Sequence, residues 1–456
     1  MSFSTINILE SLTLDDIRRS DFLGNKYKID EADYIEVSSK ARSGHSIGGT
    51  IKFYDKHHSE LPELRLWVKE LNKVRDDFSL FYNLQRDPVL LFMKEYRANL
   101  AIRHILKGKF NAKLIGRDIF AKRLFYECLP SLSDRERLIG CQEDEAQRRQ
   151  IIYSAHKDIA HMGAILEHRL NEKREELKEI DDGYVDQLFE KNDRKTQLLD
   201  YITTILRHNY ERDENVEFGN CDELKHYVSS NLRINLSNIA RSLEGSFSNL
   251  NYLHVLSHGD CRTHNLKLVE NKGGKIKRKF IDWEQLGLCE LGFDHVTYAS
   301  SEAGISKLPV EETFDLAEFI CYVRRLYRTD RKKLKNVEIN DLIDESKGKC
   351  PKLREIVGFQ MLTQSIFENL HIYSSNLRYS KEQRDSFCEG VDGLDHSGMF
   401  VYRIKEIGET IEYLSKLDYS QFKFDNYKEN ILPIAMTLNE LDIIHVSDDA
   451  LLRLSR

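Results

Sequence analysis

The fold of this chain is decided by the stretch HGDCRTHN at residues 258–265, together with FIDWE at residues 280–284. Two apolar runs lie between these motifs, LKLV at 266–269 and KFI at 279–281, and Gly273-Gly274 separates them. A Gly-Gly pair between two apolar runs is typical of a β-hairpin turn. We therefore expect a hairpin that brings the second motif back to the start of the first strand.

Three residues of these motifs offer the oxygen atoms that metal and proton chemistry requires: Asp260, Asn265 and Asp282. Carboxylate and amide oxygens are the ligands that Mg²⁺ prefers, and a carboxylate can accept a hydroxyl proton. Transfer of a phosphoryl group needs both functions, because charge on the phosphate oxygens must be neutralised while a hydroxyl attacks. Either motif alone could be a chance loop or a buried strand end. Their order and the intervening hairpin favour a phosphate-handling site, on which we expect the three side chains to converge.

The two motifs resemble those of the aminoglycoside phosphotransferase and choline kinase group of kinase-like enzymes, written H-G-D-x-x-x-x-N and I-D-W/F-E. The resemblance implies that Asp260 is the catalytic base and that Asn265 and Asp282 bind Mg²⁺. It also implies ATP as the phosphoryl donor, and His258 and Asp294 as structural supports of the catalytic loop. For Asp294, a cap on a helix beginning near residue 296 is an alternative role.

The same resemblance implies an α+β, bilobal, protein-kinase-like fold. It predicts an N-terminal extension at residues 1–30, a small antiparallel-sheet nucleotide-binding lobe at 31–130, and a large, mostly helical lobe at 131–456. The large lobe would carry both the catalytic loop at 258–265 and the metal motif at 280–284.

The segment between the predicted crossover near residue 130 and the HGDCRTHN motif is long, and its apolar residues recur at helical spacing. Two helices would suffice to connect the crossover near residue 130 with Asp260, so we expect an inserted helical element at 131–250. Charge runs in this interval are typical of solvated helix faces. The insertion could serve a protein partner.

The N-terminal part of the chain carries a strand pattern interrupted by glycines. Strands are predicted at residues 34–37, 51–54 and 64–69, with Gly44, Gly48 and Gly49 in the interval between the first two. Glycine lets backbone N–H groups approach phosphate oxygens closely. Any hairpin can also carry glycines, so the interpretation as a phosphate-binding turn depends on the downstream motifs.

The third strand ends in Lys69, which is our candidate for the nucleotide phosphates. Such a lysine needs a carboxylate partner. Asp87-Pro88 is typical of a helix start, and Glu95 on the helix that follows is the candidate partner. A competing assignment makes residues 89–94 the strand and Lys94 the lysine, but it leaves Asn99 near the partner position.

Two further strands are predicted at residues 112–116 and 123–127, after which the chain leaves through a Pro-containing turn. The resemblance implies that this is the crossover between lobes, where backbone groups at Glu127, Cys128 and Leu129 would hydrogen-bond adenine. A strand that simply ends at a turn is equally compatible with the sequence, because backbone recognition leaves no side-chain signature.

Composition limits the partners and the compartment. The formal charge of −7 argues against a dedicated nucleic-acid binder, and no apolar run approaches the length of a membrane-spanning helix. The 8 cysteines are scattered without a C-x-x-C pair, as is typical of thiols in a reducing cytoplasm. We therefore expect a cytoplasmic protein without a nucleic-acid or membrane partner.

The leading functional hypothesis is a small-molecule kinase that phosphorylates a hydroxyl group, with a protein kinase and a non-catalytic nucleotide-binding scaffold as alternatives. Gly259 stands where regulated protein kinases carry an arginine, and the interval from Asp282 to Asp294 leaves little room for a peptide-docking loop. A scaffold usually loses a metal ligand or the base, and both are present here. The sequence does not select the acceptor, nor ATP over GTP.

Overall fold

The computed structural model describes residues 12–22, 29–43, 46–61, 63–70, 88–127, 132–189, 254–270, 276–299, 308–349, 408–416 and 445–455, with isolated positions at 306, 432, 435, 436 and 439. The chain divides into two compact units. Unit 1 comprises Met1–Ser133, His168–Gln187 and Asn265–Leu286. Unit 2 comprises Asp134–Glu167, Leu188–His264 and Gly287–Arg456. The lobe boundaries near residues 30 and 130 stay predictions.

The described strands and helices are numbered in chain order. The strands are β1 (Asp21–Phe22), β2 (Tyr34–Ser43), β3 (Ser46–Tyr54), β4 (Leu64–Glu70), β5 (Leu114–Asp118), β6 (Arg123–Glu127), β7 (His254–Ser257), β8 (Leu266–Glu270), β9 (Ile276–Phe280) and β10 (Gly287–Glu290). The helices are α1 (Leu14–Arg19), α2 (Pro88–Leu106), α3 (Asp134–Gly140), α4 (Glu145–Phe189), α5 (Phe293–Ala299), α6 (Val310–Thr329), α7 (Arg331–Asn336), α8 (Ile339–Ser346) and α9 (Asp448–Ser455). The predicted α+β class with an antiparallel N-terminal sheet is confirmed.

Unit 1 is built on a six-stranded antiparallel sheet in the order β1-β5-β6-β4-β3-β2. Strand β4 lies inside this sheet, and its side chains alternate between the two faces. Leu64, Leu66 and Val68 point to the face that packs on α1 and are at most 1% exposed. Lys69 therefore points to the opposite face, on which Leu124 of β6 packs against α2.

Within the predicted extension at residues 1–30, the described residues include a helix and a short strand that joins the sheet. Strand β1 pairs with β5 through Asp21 and Phe22. Helix α1 starts at a capping box in which Thr13 and Asp16 bond each other's backbone N–H groups. A two-residue strand is too short to give an alternating pattern, so only its pairing reveals it.

The glycine-bearing interruption between β2 and β3 is shorter than expected. Strand β3 begins at Ser46, so Gly48 and Gly49 lie inside a strand and not in a turn. Both glycines pair with β2 on one side and β4 on the other. Strand pairing on both sides outweighs the low strand propensity of glycine. Gly44 lies outside the described residues.

Helix α2 confirms the predicted helix. It begins at Pro88, which is suited to the first helical position because it lacks a backbone N–H. It ends at Leu106, after which Lys107 and Gly108 take positive φ angles of 50° and 73°. The competing strand at residues 89–94 is therefore wrong, and Lys94 is exposed on this helix.

The predicted hairpin between the two motifs is confirmed. Strands β8 and β9 pair antiparallel from Glu270↔Ile276 down to Leu266↔Phe280. The Gly-Gly turn itself lies outside the described residues. At the open end of the hairpin, the backbone N–H of Ile281 donates to the carbonyl of Asn265 at 3.0 Å.

The described part of unit 2 is mostly helical. Helix α4 begins at Glu145 and contributes its residues up to Glu167 to this unit, and α6 runs from Val310 to Thr329. A small two-stranded ribbon, β7 with β10, precedes α5. The part of the predicted insertion at 131–250 that follows residue 189 lies outside the described residues.

Candidate active site

Unit 1 contains a cluster of one cation and three carboxylates, in which Lys69 and Glu95 are buried and Asp282 and Glu284 are partly buried. The Nζ atom of Lys69 lies 2.7 Å from Oε2 of Glu95, 2.8 Å from Oδ1 of Asp282 and 3.6 Å from Oε2 of Glu284. Lys69 and Glu95 are 7% and 0% exposed. The predicted pairing of Lys69 with Glu95 is therefore present in the structure, and the same ammonium also binds a carboxylate of the metal motif.

Three elements of unit 1 bring this cluster together. Lys69 comes from the inner strand β4, and Glu95 lies two turns into α2. Asp282 and Glu284 follow β9, and the short 3-10 turn Trp283–Gln285 packs against α2. The turn is anchored because the indole Nε1 of Trp283, which is 1% exposed, donates to the carbonyl of Phe280.

The electrostatics of the cluster keep the lysine charged. Burial by itself lowers the pKa of Lys69, but Asp282, Glu95 and Glu284 together raise it well above its usual range. The opposite applies to Glu95, since burial and the carboxylates of Asp282 and Glu284 raise its pKa although Lys69 opposes the shift. A single cation therefore balances only part of the negative charge that these carboxylates can carry.

Glu95 is held by two further residues of unit 1. The hydroxyl of Tyr126 donates to its Oε1 at 2.6 Å. The side-chain amide of Asn99, one turn along α2, donates to the Tyr126 oxygen at 3.1 Å and to the backbone carbonyl of Glu95 at 2.8 Å. Sequence reasoning missed this arrangement, because neither Tyr126 nor Asn99 belongs to a motif.

The open end of the hairpin places Asn265 and Asp282 next to each other in unit 1. Leu266 pairs with Phe280 as the last pair of the ladder, and the N–H of Ile281, the residue before Asp282, then donates to the carbonyl of Asn265. Asn265 is 2% exposed. Asp282 adopts a left-handed conformation, with φ 65° and ψ 66°, which directs the chain from the strand into the 3-10 turn.

The oxygen atoms of this end of unit 1 suit a hard divalent cation. Glu95, Asp282 and Glu284 each offer a carboxylate oxygen, and these three oxygens lie within 4.8 Å of one another. The amide oxygen of Asn265, beside Asp282 in the hairpin, is of the same ligand type. No role is predicted for Glu284 from the sequence. Its position in the FIDWE motif, two residues after Asp282, is the signal that could have placed it in this cluster.

The loop that carries Asp260 lies in unit 2, and the side chain of Asp294 holds its backbone through hydrogen bonds. The two carboxylate oxygens of Asp294 accept the backbone N–H groups of His258 and Gly259, each at 2.9 Å. Asp294 lies inside the first turn of α5, which begins at Phe293, so its carboxylate binds the loop and does not cap the helix. Gly259 has φ 84°, a conformation that favours glycine.

Asp260 is one of the partly accessible residues of this loop. Its backbone N–H donates to Nδ1 of His258 at 3.2 Å, and His258 is 0% exposed. Its carboxylate lies 3.2 Å from the guanidinium Nε of Arg262. The carboxylate is therefore held near a cation while its side chain keeps 19% exposure. The predicted convergence of Asp260 with the residues of unit 1 stays a prediction.

The remaining predicted residues concern the nucleotide. Gly48 and Gly49 lie in β3, where Gly48 pairs with Trp67 of β4. Glu127 is the last residue of β6 and is exposed. Gly44, Cys128 and Leu129 lie outside the described residues, so their contacts with a nucleotide stay predictions.

Among solved structures, this chain is similar to choline kinase from Cryptosporidium parvum Iowa II (14% identity, TM-score 0.44, 90% of this chain and 93% of that chain). It is also similar to Plasmodium vivax ethanolamine kinase (15%, 0.43, 84% and 85%) and to choline kinase LicA from Streptococcus pneumoniae (12%, 0.39, 82% and 94%). No protein-family model and no curated protein sequence matches the chain.

No helix among the described residues is both long and apolar enough to cross a lipid bilayer.

Proposed function

We propose that this protein is an ATP- and Mg²⁺-dependent phosphotransferase that moves the γ-phosphoryl group to a hydroxyl of a small molecule. The observation that carries the proposal is the cluster in unit 1, where Lys69 binds both Glu95 and Asp282. Lys69 and Asp282 are 213 residues apart in the sequence, so only the fold brings them together. Phosphoryl transfer uses a lysine that is held by a glutamate on a helix and lies beside a metal-binding aspartate.

Each residue has a distinct proposed role. Lys69 would hold the nucleotide phosphates, and Glu95 would keep its ammonium in place. Asn265 and Asp282 would hold Mg²⁺, which supplies charge neutralisation on the phosphate oxygens when it is bound. The three-carboxylate geometry around Lys69 supports this assignment, because a cation that took the place of the ammonium at Asp282 and Glu284 would leave its ion pair with Glu95 intact.

Asp260 is the proposed general base. Its carboxylate would accept the proton of the attacking hydroxyl, and the Asp294 carboxylate would keep the loop backbone in one conformation. A fixed backbone matters here because a general base must lie within hydrogen-bond reach of the proton that it removes. The acceptor would be of the amino-sugar, choline-like or sugar class that the motif resemblance suggests.

The proposed activity also has a compartment and partners. We place the reaction in the cytoplasm, as the scattered cysteines suggest. A protein partner of the 131–250 insertion is part of the same proposal, and a nucleic-acid or membrane partner is not.

The test measures ATP consumption against a panel of hydroxylated compounds, together with the dissociation constant of Mg²⁺-ATP. Asp260→Asn should lower turnover by roughly 10²–10⁴-fold, because it removes the proton acceptor, while it leaves ATP affinity nearly unchanged. Lys69→Met should instead weaken ATP binding.

Two positions outside the cluster provide matched controls. Asp341→Asn, on α8, and Lys52→Met, on β3, make the same chemical changes away from the cluster. Both should behave as the wild type. If Asp260→Asn loses ATP affinity as strongly as turnover, the assignment of the base is wrong, and if no panel member is phosphorylated while ATP still binds, a nucleotide-binding scaffold replaces the enzyme.

A further inference from the structure

The buried ion pair of unit 1 depends on a tyrosine that no motif contains. Tyr126 lies on β6, directly opposite Trp67 of β4, and Leu124 on the same strand lies opposite Lys69. Because side chains two residues apart on a strand share a face, Tyr126 and Lys69 both point toward α2. The ring of Tyr126 packs against the small core cluster of Phe92, Leu114 and Leu124.

Each carboxylate oxygen of Glu95 contacts a different side chain. Oε1 accepts the hydroxyl of Tyr126 at 2.6 Å, and Oε2 lies 2.7 Å from Nζ of Lys69. A carboxylate bound at one oxygen can still rotate about its terminal torsion, whereas partners on both oxygens fix its plane. Glu95 is therefore aimed at Lys69 by Tyr126.

The direction of the tyrosine proton is determined by Asn99. The Asn99 amide donates to the Tyr126 oxygen at 3.1 Å, so the hydroxyl proton is left for Glu95. Burial and the negative charge of Glu95 both raise the pKa of Tyr126 well above its usual value, which keeps the hydroxyl protonated. Asn99 also donates to the backbone carbonyl of Glu95, which ties the donor to the same helix turn.

We propose that Tyr126 is a positioning residue of the nucleotide site, whose hydroxyl holds the carboxylate of Glu95 against Lys69. This inference rests on the proposed function, because the ligand that Lys69 would serve is the nucleotide. Tyr126 acts only through Glu95. Its effect on Lys69 must therefore disappear when Glu95 can no longer form the ion pair.

The first measurement does not need a nucleotide. The labelling rate of Lys69 by a small amine-reactive reagent, mapped by mass spectrometry, reports how firmly its ammonium is held. Tyr126→Phe should accelerate labelling by about threefold or more, because the hydrogen bond to a charged group is lost. The control is Tyr54→Phe on β3. It removes a comparable hydrogen bond, which the Tyr54 hydroxyl donates to the carboxylate of Glu36 on β2 at 2.9 Å.

The second measurement is the dissociation constant of Mg²⁺-ATP. Tyr126→Phe should raise it roughly tenfold, while Tyr54→Phe leaves it unchanged. In a Glu95→Gln background, Tyr126→Phe should add nothing to either measurement, since a double-mutant cycle isolates the interaction between the two residues. Asn99→Ala should shift both values in the same direction by a smaller factor.

The outcomes separate this inference from the proposed function. If Tyr126→Phe and Tyr54→Phe label Lys69 equally fast, or if the effect of Tyr126→Phe persists in Glu95→Gln, Tyr126 does not position the ion pair. A wild type that fails to bind Mg²⁺-ATP would overturn the proposed function, while accelerated labelling of Lys69 would still support the role of Tyr126 in holding Glu95. Melting of each ligand-free variant identifies any change that reflects general unfolding.

Discussion

At the residue scale, Asp282 combines an unusual backbone conformation with a place in the charge cluster. Its φ of 65° lies in the left-handed region, which costs most residues about 1–2 kcal/mol but is tolerated by Asp and Asn. The same residue contacts the ammonium of Lys69 at 2.8 Å. The side chain at this position therefore satisfies a backbone requirement and an electrostatic one, and the two can be separated by substitution.

We expect Asp282→Asn and Asp282→Ala to differ in stability and both to weaken the binding of Mg²⁺-ATP. Both remove the carboxylate charge, although Asn keeps an amide oxygen that can contact the metal. Only Ala also loses the side chain that tolerates the left-handed backbone, so it should be less stable than Asn by about 1 kcal/mol. Urea unfolding measures the stability difference, and calorimetry with Mg²⁺-ATP measures the binding. Equal stability of the two variants would show that the backbone conformation is not a constraint.

At the element scale, the end of α2 shows how one residue limits a helix that carries a site residue. The helix ends at Leu106, and Gly108 follows with φ 73°. A Cβ added at Gly108 would meet no atom within 4 Å. Any cost of a substitution there must come from the backbone conformation and not from crowding.

Gly108→Ala should therefore lower the free energy of unfolding by about 1 kcal/mol. Gly140→Ala is the matched control, because Gly140 at the end of α3 also has open space but no positive φ. It should be neutral or slightly stabilising, since alanine has less conformational entropy to lose on folding. Denaturant unfolding of both variants distinguishes strain from crowding. A loss at Gly140 equal to that at Gly108 would contradict the explanation.

At the scale of the whole molecule, buried titratable groups govern the response to pH. In unit 2, Nδ1 of His156 lies 3.0 Å from Nδ1 of His295, and the two rings stack. Burial, together with the charges of His156 and Arg324, lowers the pKa of His295 well below its usual value. The folded protein then binds fewer protons than the unfolded chain below the unfolded pKa. Stability is present above that pKa and is lost as the pH falls through it.

The wild type should lose about 1 kcal/mol more stability than His295→Gln between pH 7.5 and pH 5.5, because the unfolded histidine titrates near 6.5. Urea unfolding at both pH values measures this difference. His445→Gln, which changes an exposed histidine, should follow the wild type. An identical pH dependence for the wild type and His295→Gln would show that His295 is not a source of acid sensitivity.

The sequence by itself determined the local elements that carry the candidate site. The Gly-Gly hairpin, the strand ending near Lys69 and the helix beginning at Pro88 follow from short-range patterns of apolar residues, glycine and proline. Asp282 and Asn265 could be placed side by side for the same reason, because a hairpin fixes the register of its two strands. The extent of β3 through Gly48 could not, since pairing on both sides decides it.

Only the tertiary structure decided which side chains share a cluster and what holds them. Tyr126, Asn99 and Glu284 join Lys69 and Glu95 because the sheet, α2 and the turn after β9 meet within unit 1. No local pattern marks Tyr126 or Asn99, and even the motif residue Glu284 shows its distant partner Lys69 only in the folded structure. Burial then sets the electrostatics, as the raised pKa of Glu95 shows, and burial is a property of the packed structure and not of the residue.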